Sequence, residues 1–191
     1  MQDKKNIKFI TKVLAGYTFR TALKSEESGN ILVVQTKDIS DDLYIDDKQL
    51  VKINHQIFKT NALIKEGDVI ISVRGKFRAG VYKGSLKNII ASSSVYILRP
   101  FEEKVTPEYL VIYLNSTAGQ KEINKFLTGG AIKIILRKDL ENINVVIPEI
   151  REQQVIVNLY KNKIALQSKL DTKKILINNI AESAISKILN K

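Results

Sequence analysis

Apolar residues follow two different rhythms along this chain, and the rhythm changes once, at Pro148. Before it they come in short runs broken by polar or glycine-containing turns. Ile31-Leu32-Val33-Val34-Gln35 is short, β-branched and entered through Gly29-Asn30, which predicts a strand. Val69-Ile70-Ile71-Ser72-Val73, after Gly67-Asp68, predicts a second. Ser94–Leu98, ended by Pro100, predicts a third. Tyr17–Arg20 predicts a shorter one ahead of a polar turn at Ser25–Asn30. Acidic residues Asp38, Asp41, Asp42, Asp46 and Asp47 mark turns. Thr106-Pro107-Glu108 predicts a helix start, with Thr as N-cap, Pro at the first position and an acid in the first turn. That helix carries Tyr109, Leu110, Tyr113 and Leu114. A second turn system runs through Ile123, Phe126 and Leu127 and stops at Gly129-Gly130. A last strand, Asn142–Ile147, leads into Pro148.

After Pro148 no Gly or Pro occurs up to Lys191. Proline pre-sets a first helical turn, and Glu149 and Glu152 fall there, where the helix dipole favours negative charge. A helix of about 40 residues is roughly 60 Å long, too long for one small domain to cover. Val155, Leu159, Leu166, Leu170, Ile177, Ala181, Ala184 and Ile188 form one broad stripe at about 100° per residue. Val157, Tyr160, Ile164, Ile175 and Leu189 fall on nearly the opposite side. Two apolar faces call for two neighbours. Lys163 and Lys173 or Lys174 interrupt the main seam, so a simple two-stranded heptad zipper is not expected. The plainer alternative is a helix packed on its own domain at one end and frayed at the other.

Composition narrows the class. A chain of 191 residues, 44% hydrophobic, suffices for one domain plus an appendage. A formal net charge of +11 points to an anionic partner, most often nucleic acid. Without Cys there is no disulfide framework and no thiolate metal site. No apolar run reaches the ~18 residues of a membrane span, and the N-terminus lacks a signal-peptide core, so a soluble, cytoplasmic protein is expected.

The charge is concentrated. Arg74, Lys76, Arg78, Lys83, Lys87 and Arg99 lie between Val69 and Phe101, a stretch without an acid. In Arg74-Gly75-Lys76-Phe77-Arg78-Ala79-Gly80 the cations alternate at period two, so in extended backbone they point the same way. Gly75, Gly80 and Gly84 would allow close backbone approach to another surface, and Phe77 and Tyr82 would add flat side chains. Such a loop suits DNA: Arg and Lys neutralise phosphates, and Arg reads guanine edges bidentately. The competing reading is a solvated hairpin tip.

Catalytic sets are incomplete. His55 is the only histidine, so neither a histidine metal site nor a Ser-His-Asp triad can be assembled, and His55 reads as structural or exposed. No Walker A, no Asn-Pro-Pro-aromatic or Asp-Pro-Pro-aromatic tetrad and no Gly-x-Gly loop for S-adenosylmethionine is present; no metal or cofactor is expected. Asp68 with Arg74 and Lys76 could be forced into a nuclease pattern, but Gly67-Asp68 is better explained as a turn before a strand. Gly129-Gly130 reads as a helix stop before it reads as a phosphate cradle.

One ordered set of segments carries a resemblance: Asp38-Ile39 after Val33-Val34-Gln35-Thr36-Lys37, Gly67–Gly75, the Pro107-Glu108-Tyr109-Leu110 helix, Gly129-Gly130, and Ile147-Pro148 through Glu152-Gln153-Gln154. Together they cover most of the chain, which resembles half of a DNA specificity subunit of type I restriction-modification systems. In that family a globular target-recognition domain reads a few base pairs and a long helix acts as a spacer that also recruits a methyltransferase subunit. Full-length members carry two of each, docked in opposite directions; this chain has one of each. The resemblance implies an α+β recognition domain over 1–147, a helical spacer and dimerisation region over 148–191, and a non-catalytic subunit that directs methyltransferase and restriction subunits to a bipartite double-stranded DNA site. Expected DNA-binding residues are Lys37, Arg74, Gly75, Lys76, Arg78 and Lys83. Expected homodimer or partner-helix residues are Val155, Leu159, Leu166, Leu170, Ile177, Ala181 and Ile188. Two alternatives stay open: a basic dimeric DNA-binding regulator unrelated to methylation, and a coiled-coil scaffold that binds no DNA.

Overall fold

Strand structure begins earlier than the Tyr17–Arg20 segment suggests. In the computed structural model, which describes residues 3–54, 61–128 and 133–190, β1 (Lys4–Asn6) passes through one helical turn, α1 (Ile7–Ile10), into β2 (Thr11–Ala15). Tyr17–Arg20 is not a strand; Tyr17 forms a single bridge to Ser92. The chain continues through β3 (Ile31–Val34), β4 (Val51–Ile53), β5 (Val69–Ser72), β6 (Ala79–Val81), β7 (Ile89–Ala91) and β8 (Val95–Pro100). Helices α2 (Pro107–Asn115), α3 (Thr117–Asn124) and α4 (Arg137–Glu141) follow, then β9 (Asn144–Val146) and α5 (Ile150–Leu189). His55 and Gly129-Gly130 lie outside the described residues.

The strands form an antiparallel sheet in the order β2-β8-β5-β6, a mixed sheet β4-β3-β7 in which β3 and β7 run parallel, and the pair β1-β9. Leu14, Ile70, Val95 and Ile97 of the first sheet join Val34 and Ile89 of the second in one buried cluster with Tyr82. β5 is buried at every position, as a central strand covered on both faces must be. The architecture is therefore α+β with a long C-terminal helix, as expected. The strands that escaped the sequence reading are mostly three residues long, too short to show a period.

The chain divides into two compact units, Met1–Gln154 and Val155–Lys191. The end of the first unit explains the Pro148-x-x-x-Glu-Gln signature. Helix α5 starts two residues after Pro148, not at it. The Glu149 N–H donates to Glu152 Oε2 at 3.2 Å, half of a capping box. Gln153 is fully buried. Its Oε1 accepts from Thr106 N–H at 2.9 Å, and its Nε2 donates to Lys104 and Pro148 carbonyls, both at 3.0 Å. Thr106 does sit at the N-cap of α2, but its hydroxyl makes no cap bond; Gln153 takes up its N–H instead. Nearby, Tyr109 donates to the Val146 carbonyl at 2.7 Å, and burial pushes its phenol up to about 12. Gln153→Ala removes the partners of three part-buried backbone groups and is expected to lower unfolding free energy by about 1–3 kcal/mol in a urea titration. An unchanged midpoint would contradict this role.

In the second unit α5 continues unbroken to Leu189. Leu159, Leu166, Leu170, Ile175, Ile177, Ile180, Ile188 and other large apolar residues are exposed along it. Nothing in this chain's described residues covers them. No described helix is long and apolar enough to cross a membrane.

Candidate nucleic-acid interface

The basic segment is a hairpin between β5 and β6, and its backbone is not extended. It turns at Gly75, whose φ of +75° is a conformation that disfavours other residues, with nothing within 4 Å of an added Cβ. Ser72 holds the hairpin together: its hydroxyl donates to the Lys76 carbonyl at 2.8 Å and accepts from the Arg78 N–H at 3.0 Å. Arg74 and Lys76 are exposed and Arg78 is half-buried. The period-two argument for a shared direction therefore does not apply across Gly75. Lys76 and Arg78 still converge, because both face the Asp41 carboxylate.

Two other expectations about this loop are corrected. Phe77 and Tyr82 do not offer flat faces to a ligand; both are buried in the core. Gly80 and Gly84 serve internal packing. A Cβ on Gly80 would lie 3.1 Å from Ile45, and one on Gly84 would lie 2.4 Å from the Tyr82 hydroxyl. Of the three glycines, Gly75 alone opens outward.

The absence of acids from this stretch is a property of the sequence, not of its surroundings. Arg99 donates to both oxygens of Asp68 at 2.8 Å, and the carboxylate also accepts from Lys65 N–H at 2.8 Å. Asp68 is 1% exposed and this pair is structural, which removes the nuclease pattern. Lys83 lies 2.9 Å from Glu108 and 4.8 Å from the Tyr44 ring centroid. The Glu108 hydrogen bond holds the Lys83 ammonium above its ordinary range, against a smaller opposing effect of burial.

Three chain segments meet at the base of the hairpin. The Ser94 carbonyl accepts from Val73 N–H at 3.1 Å and from the Thr36 hydroxyl at 2.8 Å, while the Ser94 hydroxyl accepts from Thr36 N–H at 3.1 Å. Lys37 is exposed in the 3-10 turn Thr36–Asp38 that this contact anchors. That turn is closed by Gln35 N–H donating to Asp38 at 2.8 Å. On the other side, Gly75 N–H donates to the Lys133 carbonyl and Ile135 N–H to the Val73 carbonyl, both at 3.0 Å. Lys133 is exposed. Lys37, Arg74, Lys76 and Lys133 are thus carried by hydrogen-bonded segments, 133–135 joined to the hairpin through main-chain bonds and Thr36 to Ser94 through their hydroxyls, with no acid within 4 Å of Lys37, Arg74 or Lys133 among the described residues.

Lys133 and Asp41 were not candidates from sequence. Lys133 is a lone cation distant in sequence from the basic run, and only the tertiary pairing brings it near. The run Ser92-Ser93-Ser94 was the visible signal for the anchor, since small hydroxyl residues favour turns that bond back to neighbouring backbone.

The sequence model of the family described as "Type I restriction modification DNA specificity domain" matches residues 2–179. No curated protein matches. Among solved structures, a chain from a study of complex assembly and conformational transition of the type I R-M system superposes with a TM-score of 0.64 at 22% identity, over 86% of this chain and 38% of that one. The HsdS subunit from Thermoanaerobacter tengcongensis gives 0.58 at 22% identity, over 86% and 37%. The type I S subunit from M. genitalium gives 0.55 at 16% identity, over 83% and 38%. These likenesses establish the fold. The chain spans well under half the length of each.

Proposed function

The chain belongs to the family of type I restriction-modification DNA specificity domains, and from that premise we propose that it binds double-stranded DNA through the hairpin end of its first unit. The observation that carries this reading is the convergence of Thr36–Asp38 and 133–135 on the base of the 73–78 hairpin, where Ser94 bonds to Thr36 and Val73 while 133–135 bond to Val73 and Gly75. It presents exposed cations, of which Lys37, Arg74 and Lys133 have no carboxylate within 4 Å among the described residues, on a base fixed by hydrogen bonds. Arg74, Lys76 and Lys133 contact phosphates or base edges, with Lys37 beside them. Gly75 lets the tip approach the duplex, and Arg78 is available once released from Asp41. Lys83 contributes less, since Glu108 already holds it.

The chain's part is recognition; methyl transfer, and restriction where it occurs, belong to partner subunits. The exposed apolar stripes of α5 supply the docking surfaces. Val155, Leu159, Leu166, Leu170, Ile177, Ala181 and Ile188 line the face assigned to a second copy of this chain. The opposite face, with Ile164 and Ile175, is left for a methyltransferase subunit. Two copies related by a two-fold axis read an inverted repeat with a gap of fixed length.

A gel shift at two salt concentrations tests the DNA reading. With four phosphate contacts at a slope of about 0.9 each, affinity for duplex falls by about a hundredfold between 50 and 200 mM salt. Lys76→Ala lowers affinity more than Lys83→Ala. Absence of any shift at 50 mM, with the methyltransferase partner present, would leave the scaffold alternative standing.

A further inference from the structure

Among the described residues, Asp41 is the one acid that pairs with the cations of the hairpin. Its turn is pinned on both sides, by buried Ile39 and buried Leu43. The Leu43 carbonyl accepts from Val81 N–H at 2.9 Å, which ties the turn to β6. Within the turn, Asp42 is occupied locally: it accepts from the Ser40 hydroxyl at 2.9 Å, and its own N–H donates back at 3.1 Å. Asp41 is left to face the hairpin. One of its oxygens, Oδ2, accepts from Arg78 Nη2 and lies 4.0 Å from Lys76 Nζ. The side chain is nonetheless 78% exposed, against 73% for Lys76 and 24% for Arg78. The pairing is also incomplete, because the buried Nε of Arg78 has no acceptor among the described residues.

Guanidinium and ammonium groups both pair with phosphate oxygens, so a carboxylate oxygen that engages the two together occupies a place a phosphate oxygen could take. We propose that Asp41 is an intramolecular competitor for DNA phosphate. It holds Arg78 and Lys76 in the free protein and gives them up when the duplex backbone arrives. This inference rests on the hairpin being at the DNA. The carboxylate reads no base, so it lowers affinity for specific and non-specific duplex by the same factor. Its exposure makes it easy to displace, and its short tether makes it present at high local concentration.

Asp41→Asn removes the competitor and keeps the shape. At 50 mM salt it should raise affinity about two- to fivefold for the selected site and for random duplex alike, the scale of an exposed ion pair. The gain shrinks as salt rises. Asp42→Asn changes the net charge equally but frees no cation, so its gain is smaller. In a Lys76→Ala/Arg78→Ala background the gain from Asp41→Asn disappears, which a double-mutant cycle resolves from simple loss of charge. Thermal midpoints of both single variants confirm that each is folded. If Lys76→Ala weakens binding but Asp41→Asn gains no more than Asp42→Asn, the competitor role is wrong and the interface stands. If Lys76→Ala leaves binding unchanged, the interface itself is misplaced. A change confined to one base position of the site would instead make Asp41 a reader of bases and overturn the proposal.

Discussion

Replacing Arg74, Lys76 and Arg78 together with alanine is expected to lower affinity for the specific duplex by about a hundredfold or more. An arginine that reads a base edge is worth about 1–3 kcal/mol, and each lost phosphate contact flattens the salt slope by about one unit. The triple variant should fold normally. The hairpin is closed by Ser72 bonding to the backbone of Lys76 and Arg78, and by the Gly75 N–H to Lys133 carbonyl bond, none of which uses the deleted side chains. The loss therefore belongs to the interface and not to the scaffold. A filter-binding series from 50 to 300 mM salt measures both quantities at once. Wild-type affinity with a wild-type slope would move the DNA surface elsewhere.

The second large effect concerns α5. Leu166→Glu places a charge in the centre of the face assigned to a second copy, and an unpaired charge cannot be buried there without heavy desolvation cost. The dimer should dissociate, and sedimentation at micromolar concentration should show the change from two chains to one. Since Leu166 is exposed, helicity of the free chain should be unaffected. A monomer presents one recognition surface, so binding to a two-half site should fall to that of a single half-site. The length of the helix has its own consequence. Deleting about eleven residues, three turns, shortens it by about 16 Å and should shorten the preferred gap. A wild-type chain that sediments as a monomer with an ordered helix would remove the symmetric-dimer reading.

The parts of this fold legible in sequence were those with length or punctuation. The helix from Ile150 showed itself through forty residues without a breaker, and β5 through its run behind Gly67-Asp68. What stayed hidden was short or non-local. β4, β6 and β7 hold three residues each, and β2 mixes buried and exposed positions without strict alternation. The site divides the same way. Arg74, Lys76 and Arg78 were found by charge and spacing, but their partners were not. Asp41 lies more than thirty residues before the hairpin and Lys133 more than fifty after it, so neither could be joined to it by local pattern. Phe77 and Tyr82 misled for a related reason. Aromatic residues beside cations suit both a nucleic-acid surface and a core, and burial decided for the core.

Selection of bound sequences from a random duplex pool, with the methyltransferase partner present, tests the central claim most directly. Run in parallel on the wild-type chain and on the Arg74/Lys76/Arg78 alanine variant, it should return one short motif and its inverted copy across a fixed gap for the wild type, and no enriched motif for the variant at the same salt. The same motif recovered by both proteins, or no enrichment by either, would contradict sequence reading by the hairpin end of this chain.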